Sequence, residues 1–169
     1  MIAIIKRNIL ILIIIATYSS CGIYSFTGAS IPPEAKTVSV GFFQNMATIV
    51  QPTVSPVFTE KLQDRLSSQT SLQLVTEEGD LQFSGEITSY INRPAAIVAG
   101  ETAAKQRLSI TIHVIFKNYY DEKSNFDTNF TRYAEFDSDV NLFSVESELI
   151  DQILDEITED IFNKAVVNW

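Results

Sequence analysis

The chain has 169 residues, 46% of them hydrophobic, and a formal net charge of −9 at pH 7 from 12 Lys+Arg against 21 Asp+Glu. This length can enclose one core, and five prolines and six glycines without a low-complexity tract argue against disorder or long linkers. An acidic surface disfavours nucleic acid and anionic lipid headgroups as general partners, so an anionic ligand must be met by a local basic cluster.

In chain order, Met1 to Asn8 carries Lys6 and Arg7, an apolar run follows from Ile9 to Ala16, and Thr17-Tyr18-Ser19-Ser20 leads to Cys21. That is a signal-peptide layout, and its apolar run is far shorter than the about 20 residues of a spanning helix. Ser19-Ser20-Cys21 resembles a lipobox, with Tyr18 departing from the aliphatic residue usual at its place. The expectation is a leader over residues 1–20, a diacylglycerol thioether on Cys21 and an N-acyl chain on the amine freed by cleavage. Each buried CH₂ contributes ~0.8 kcal/mol, and two or three chains anchor stably where one does not. Cys21 is the only cysteine, which excludes a disulfide within one molecule.

A tether over residues 21–35 then leads into an expected single domain over residues 36–169. Thr37 to Phe43 alternates with Val38, Val40 and Phe42 on one face, as a half-buried strand does. Ser55 and Pro56 supply an N-cap and a first-turn proline, and Phe58, Leu62 and Leu66 predict a helix ending near Ser68. Leu72 to Thr76 and Leu81 to Ile91 read as a hairpin or neighbouring strands around Glu77-Glu78-Gly79-Asp80. Leu108, Ile110, Ile112, Val114 and Phe116 predict a long strand, and Phe126, Phe130 and Phe136 lie on one side of its antiparallel partner. From Val145 to the terminus, Val145, Leu149, Ile153, Ile157 and Ile161 step by four opposite Glu146, Asp155, Glu156, Glu159 and Asp160, giving a long amphipathic helix. The expected fold is α+β, with two α-helices packed on one face of a mostly antiparallel four- to five-stranded sheet.

Catalytic patterns are missing: no G-x-S-x-G, H-E-x-x-H, Walker or dinucleotide glycine motif occurs, so no enzyme activity is expected. The one histidine, His113, falls on the polar side of the long strand. With Cys21 lipidated, the usual metal sets cannot be assembled, and neither a metal nor a cofactor is expected. Carboxylate pairs such as Glu77/Glu78 and Glu159/Asp160 fall in a turn and on a solvated helix side, where surface roles outweigh acid–base work. Arg93, Lys105 and Arg107 cluster around the loop Asn92 to Thr102, whose run Pro94-Ala95-Ala96-Ile97-Val98-Ala99 is apolar. Such a cluster suits a phosphate, although edge charges that keep strand ends soluble look the same in sequence. The apolar run suits a partner or lipid contact.

Cys21-Gly22-Ile23-Tyr24-Ser25-Phe26, Val38-x-Val40-x-x-Phe43-x-Asn45, Ile91-x-Arg93-Pro94, Arg107-Leu108-x-Ile110 and the terminal Asp160 to Trp169 segment, in this order, resemble the lipopolysaccharide-assembly outer-membrane lipoprotein family, LptE. The resemblance covers essentially the whole chain after the leader. It implies a lipoprotein that plugs a large outer-membrane β-barrel (LptD-like), helps it assemble and assists delivery of lipopolysaccharide to the outer leaflet. It also implies lipopolysaccharide contact by basic residues at a sheet end, which by region are Arg93, Lys105 and Arg107. Acidic residues are missing directly after Cys21, which favours an anchor in the periplasm-facing leaflet of the outer membrane. The alternative is an accessory lipoprotein of another envelope secretion or assembly channel, forming homomeric rings.

Overall fold

The computed structural model describes residues 31–95 and 104–167. The leader, Cys21, most of the tether and the apolar residues Ala96 to Ala99 lie outside the described residues. Six strands and two long helices follow one another: β1 Thr37–Val40, β2 Gln44–Asn45, α1 Val54–Gln69, β3 Gln73–Val75, β4 Leu81–Pro94, β5 Lys105–Asn118, β6 Phe126–Asp137 and α2 Leu142–Phe162. A short π-helical turn, Asn163–Val167, extends α2.

The strict alternation along β5 decides the layout. Leu108, Ile110, Ile112, Val114 and Phe116 are buried on one face of the sheet, and burying that apolar row requires a cover. α1 and α2 supply it. α1 buries Phe58, Leu62 and Leu66, and α2 buries Leu149, Ile150, Ile153, Leu154, Ile157, Ile161 and Phe162, all in one cluster with the strand residues. The helices run side by side in the same direction, because Lys61 pairs with Asp151 at 2.8 Å and, four residues on in each, Arg65 pairs with Asp155 at 2.7 Å. Ala35 is buried and Ile31 packs against the core, so the last residues expected in the tether already join the folded body.

The sheet is mixed, which corrects the mostly antiparallel expectation. Its order is β3-β1-β4-β5-β6, with β2 also paired to β4. β4, β5 and β6 are antiparallel neighbours, whereas β1 pairs parallel with both β3 and β4, and β2 parallel with β4. β3 and β4 therefore form no hairpin, since β1 lies between them. The chain leaves β3 and passes over β1, with Gly79 lying against it. A Cβ on Gly79 would lie 2.5 Å from the Ser39 nitrogen and 2.7 Å from the Val38 carbonyl carbon, so only a bare backbone can cross that closely.

Asp80 fastens the crossing. Its Oδ2 accepts from the Lys36 N–H at 2.8 Å, the Thr37 N–H at 2.9 Å and the Thr37 hydroxyl at 2.9 Å. These bonds, the Lys36 one foremost and then those from Thr37, hold the carboxyl below its ordinary value of 3.8. A carboxylate whose folded pKa is depressed contributes stability that is complete above the unfolded value and is lost as pH falls through the folded one. Asp80→Asn is thus expected to lower the thermal midpoint at pH 7 and to shrink the further loss seen on acidification below about pH 4. Thermal unfolding of both chains from pH 7 downward checks this, and equal acid slopes would count against it.

Two details of phase also differ from the simple alternation. Gly41 interrupts the pattern after Val40, so Phe43, not Phe42, enters the core; Phe42 is 63% exposed and Phe43 0%. In β4 the register shifts between Ile87 and Ser89, leaving Thr88 as the extra residue of a bulge. Beyond it Tyr90 turns to the core and Ile91 to the open face. α1 starts at Val54 with Thr53 at its N-cap and no side-chain capping bond, so Ser55 lies inside the helix, where its carbonyl accepts from the Thr59 hydroxyl. α2 begins at Leu142, earlier than the apolar spacing indicates, because Asn141 caps it by accepting from the Phe143 N–H.

Candidate functional site

The sheet face turned away from the helices is polar, and its end near Pro94 and Lys105 carries the basic residues expected there. β4 continues to Pro94 and β5 starts at Lys105, so Arg93 and Arg107 lie directly opposite each other in the antiparallel register. Lys105 lies opposite Asp137, and Arg107 also opposite Glu135 on β6. Two cations side by side across strands repel, and Glu135 relieves this: its Oε1 accepts from Arg107 Nε at 3.0 Å and Nη2 at 2.6 Å. The Glu135 bonds hold the Arg107 guanidinium even further above its ordinary range. Its carbon sits 3.9 Å from the centre of the Tyr133 ring, a stacking that fixes the plane of the fork. Among the described residues no carboxylate forms an ion pair with Arg93 or Lys105.

Between β4 and β5 this end forms an open groove of about 440 Å³, lined by Arg93, Arg107 and Ile91 and by the hydroxyls of Ser89, Ser109 and Thr111. The cations lie at one end of the groove and the hydroxyls of Ser89 and Thr111 at the other, with Ile91 opposite Ser109 between them. Such a lining suits a ligand that carries phosphate and hydroxyl groups. His113 lies farther along the same face, its Nε2 2.5 Å from Asp127 Oδ1, with Glu86 and Asn129 as its register neighbours. Among the described residues no group of three or more His, Cys, Asp or Glu could hold a metal ion, and no helix is long and apolar enough to cross a membrane.

The four-residue apolar spacing places Glu146 on the solvated side of the second helix. The structure turns it inward to Tyr90, whose hydroxyl donates to Glu146 Oε1 at 2.5 Å. Burial first, and then this bond, push the phenol well above its ordinary value of 10.0. Only the bulge at Thr88 brings Tyr90 to that face, so the alternation gave no sign of the pair. Arg132 ties β6 to α2 in the same way, with Nε and Nη2 donating to the two oxygens of Asp160 at 2.6 and 2.7 Å. A second, larger groove, of about 850 Å³, lies beside the N-termini of both helices, where Phe143 is 86% exposed. No sequence motif announced it.

Comparison with known proteins bears on the whole of this body. The model of the family LptE, described as lipopolysaccharide-assembly, matches residues 35–165. No curated protein matches the sequence. Among solved structures, a minor lipoprotein from Acinetobacter baumannii is 14% identical, with a TM-score of 0.52 over 77% of this chain and 91% of that one. The rare lipoprotein B from Shewanella oneidensis is 11% identical, with a TM-score of 0.44 over 75% of this chain and 93% of that one. At such identities the first likeness shows a shared fold and no more. The family match takes in both helices and all six strands, including the two that carry the basic groove, and by it the chain belongs to the lipopolysaccharide-assembly family LptE, a family of accessory envelope lipoproteins.

Proposed function

We propose that the protein is an outer-membrane lipoprotein, lipidated at Cys21 after removal of residues 1–20. In this reading it sits inside the lipopolysaccharide-translocating β-barrel as a plug, helps that barrel assemble and assists delivery of lipopolysaccharide to the outer leaflet. It performs no turnover chemistry of its own. The residues between Cys21 and the folded body, which Ile31 and Ala35 already join, tether a single domain to the periplasm-facing leaflet. The observation that carries this reading is the family match over residues 35–165. Affinity purification of the full-length chain from solubilised envelopes is expected to recover one large β-barrel protein, and recovery of none overturns the proposal. A fatty-acid analogue is expected to label the wild type and not Cys21→Ala.

Arg93, Lys105 and Arg107 are the proposed contacts to lipopolysaccharide phosphates. Their contributions differ. Arg107 is already engaged by Glu135 and Tyr133, so a phosphate there must compete with a carboxylate, whereas Arg93 across the groove has no such competitor among the described residues. Replacing all three by Ala is expected to weaken lipopolysaccharide binding roughly ten- to hundredfold, the scale of one or two charge-assisted hydrogen bonds. The thermal midpoint should hardly move, because exposed ion pairs contribute little to stability. Binding titration and calorimetry on the same samples test both halves, and unaltered binding would remove the groove from the mechanism.

A further inference from the structure

β6 is an edge strand of twelve residues, Phe126–Asp137, paired with β5 without a register break. It contains no proline and no bulge, two of the devices that blunt an edge, and relies on charged side chains alone. Among the described elements it pairs with β5 and packs under α2, and no strand is paired to its other edge. The direction of its backbone groups follows from the ladder. The Ser138 N–H donates to the Ala104 carbonyl at 3.0 Å, one step beyond the Lys105 and Asp137 pair. Hydrogen-bonded pairs alternate along an antiparallel ladder, so even-numbered residues of β6 bond to β5 and odd-numbered ones turn their N–H and C=O outward. On the far side of β5, the Ala95 N–H donates to the Lys105 carbonyl at 2.8 Å, the phase this alternation requires.

The outward-turned residues are Asp127, Asn129, Thr131, Tyr133, Glu135 and Asp137, and their side chains share the open face of the sheet. Three of them are acids and none is basic. Arg132, the single cation of β6, lies on the helix face and is held by Asp160. This pattern argues against a second copy of the chain. Antiparallel self-pairing centred on Thr131 sets Asp127 against Glu135, and centring on Arg132 sets Asp127 against Asp137, like charges in direct opposition. An extended segment of a different polypeptide with Lys or Arg at alternate positions meets the same edge with opposite charges and fills its free backbone groups.

We propose that β6 is a strand-addition site, on which a basic, extended segment of a partner protein pairs edge to edge along Asp127 to Asp137. The edge adjoins the basic groove, whose Arg107 is held by Glu135 and Tyr133 of β6, but strand addition does not rest on ligand binding there. A partner that is no barrel but protects this edge would leave the proposal intact while removing the barrel reading.

The test is amide hydrogen exchange at single-residue resolution on the full-length chain, alone and as recovered with its partner from solubilised envelopes. In the chain alone the amides of Asn129, Thr131, Tyr133 and Glu135 should exchange much faster than those of Phe130, Arg132 and Ala134. In the complex the outward set should slow by about a hundredfold, the protection of a formed ladder. Outward amides that stay fast in the complex overturn the proposal. So do outward amides already slow in the chain alone, which would put a second copy or another segment of this chain on the edge, and so does recovery of the chain with no partner. Asn129→Pro removes one outward N–H and no ladder bond, so it should cut recovery of the complex about tenfold while the exchange pattern of the even-numbered residues is kept. The double substitution Asp127→Lys with Asp137→Lys should weaken recovery as well, and unchanged recovery of both variants with an intact fold overturns the proposal.

Discussion

Gly85→Ala is expected to destabilise the protein by about 3–5 kcal/mol, a fall of roughly 6–20 °C in the thermal midpoint. Gly85 has a φ of +153°, a conformation that L side chains rarely adopt. A Cβ there would lie 2.0 Å from the His113 carbonyl oxygen and 2.8 Å from Cε1 of the Phe43 ring. The first neighbour is backbone of the central strand β5, held by the ladder on both sides, so it cannot step aside as the end of a flexible side chain could. Gly41 serves as the control. A Cβ on it would have the Phe83 carbonyl oxygen as its nearest neighbour, at 3.5 Å, which is ordinary contact. Gly41→Ala should therefore lie within about 0.5 kcal/mol of the parent, as exposed substitutions free of strain do. Denaturant unfolding with an unchanged m-value decides the comparison. Equal midpoints for the two variants would mean that β4 shifts away from β5 at little cost.

Why so much of the fold could be read in advance, and where the reading stopped, follows from which constraints are local. Leu108 to Phe116 announce their strand because the burial of each residue depends only on its parity. The spacing of Leu149, Ile153, Ile157 and Ile161 marks α2 for the same kind of reason. Pairing partners are not local. β1, β2 and β3 have four, two and three residues, too few to distinguish a parallel neighbour from an antiparallel one. Nothing in Glu77-Glu78-Gly79-Asp80 says that the link passes over β1 instead of turning back beside β3. Gly79 is the trace of that crossing, yet a glycine in a turn has an ordinary explanation.

The candidate site was legible in composition and not in geometry. Arg93, Lys105 and Arg107 were visible as a cluster, while the opposition of Arg93 to Arg107 depends on the β4–β5 register, which the extra residue Thr88 sets. The partners that modify them, Glu135 and Tyr133, belong to a third strand more than twenty residues away, and only the β5–β6 register brings them in. The bulge also explains Tyr90 and Glu146. Without Thr88 the alternation places Ile91 in the core and leaves Tyr90 outside, the reverse of what the backbone does. Phe43 shows the same effect at the other end of the sheet, with larger energetic consequence.

Alternation from Val38 through Val40 assigns Phe42 to the core, and the structure assigns Phe43, so substitution of the two separates the readings. Phe43→Ala is expected to cost about 3–5 kcal/mol, the range for emptying a buried aromatic site, and Phe42→Ala within about 0.5 kcal/mol. The Phe43 ring meets Phe58 of α1 edge to face, with centroids 4.8 Å apart and planes at 78°. This geometry contributes beyond area alone. It also occupies the space that Gly85 leaves without a side chain, so the break at Gly41, the bare backbone at Gly85 and the first turns of α1 form one packing unit. Two consequences can be measured. Phe43→Ala should loosen α1 against β4, raising amide exchange around Phe58 and Leu62 while β6 stays protected at its even-numbered residues. The double variant with Gly85→Ala should cost less than the two single losses combined, since removing the ring relieves one of the two contacts a Cβ at Gly85 would make, though not the one with the His113 carbonyl. Strict additivity would mean that the ring and the glycine do not share one space, and equal losses from Phe42→Ala and Phe43→Ala would return the strand to uninterrupted alternation.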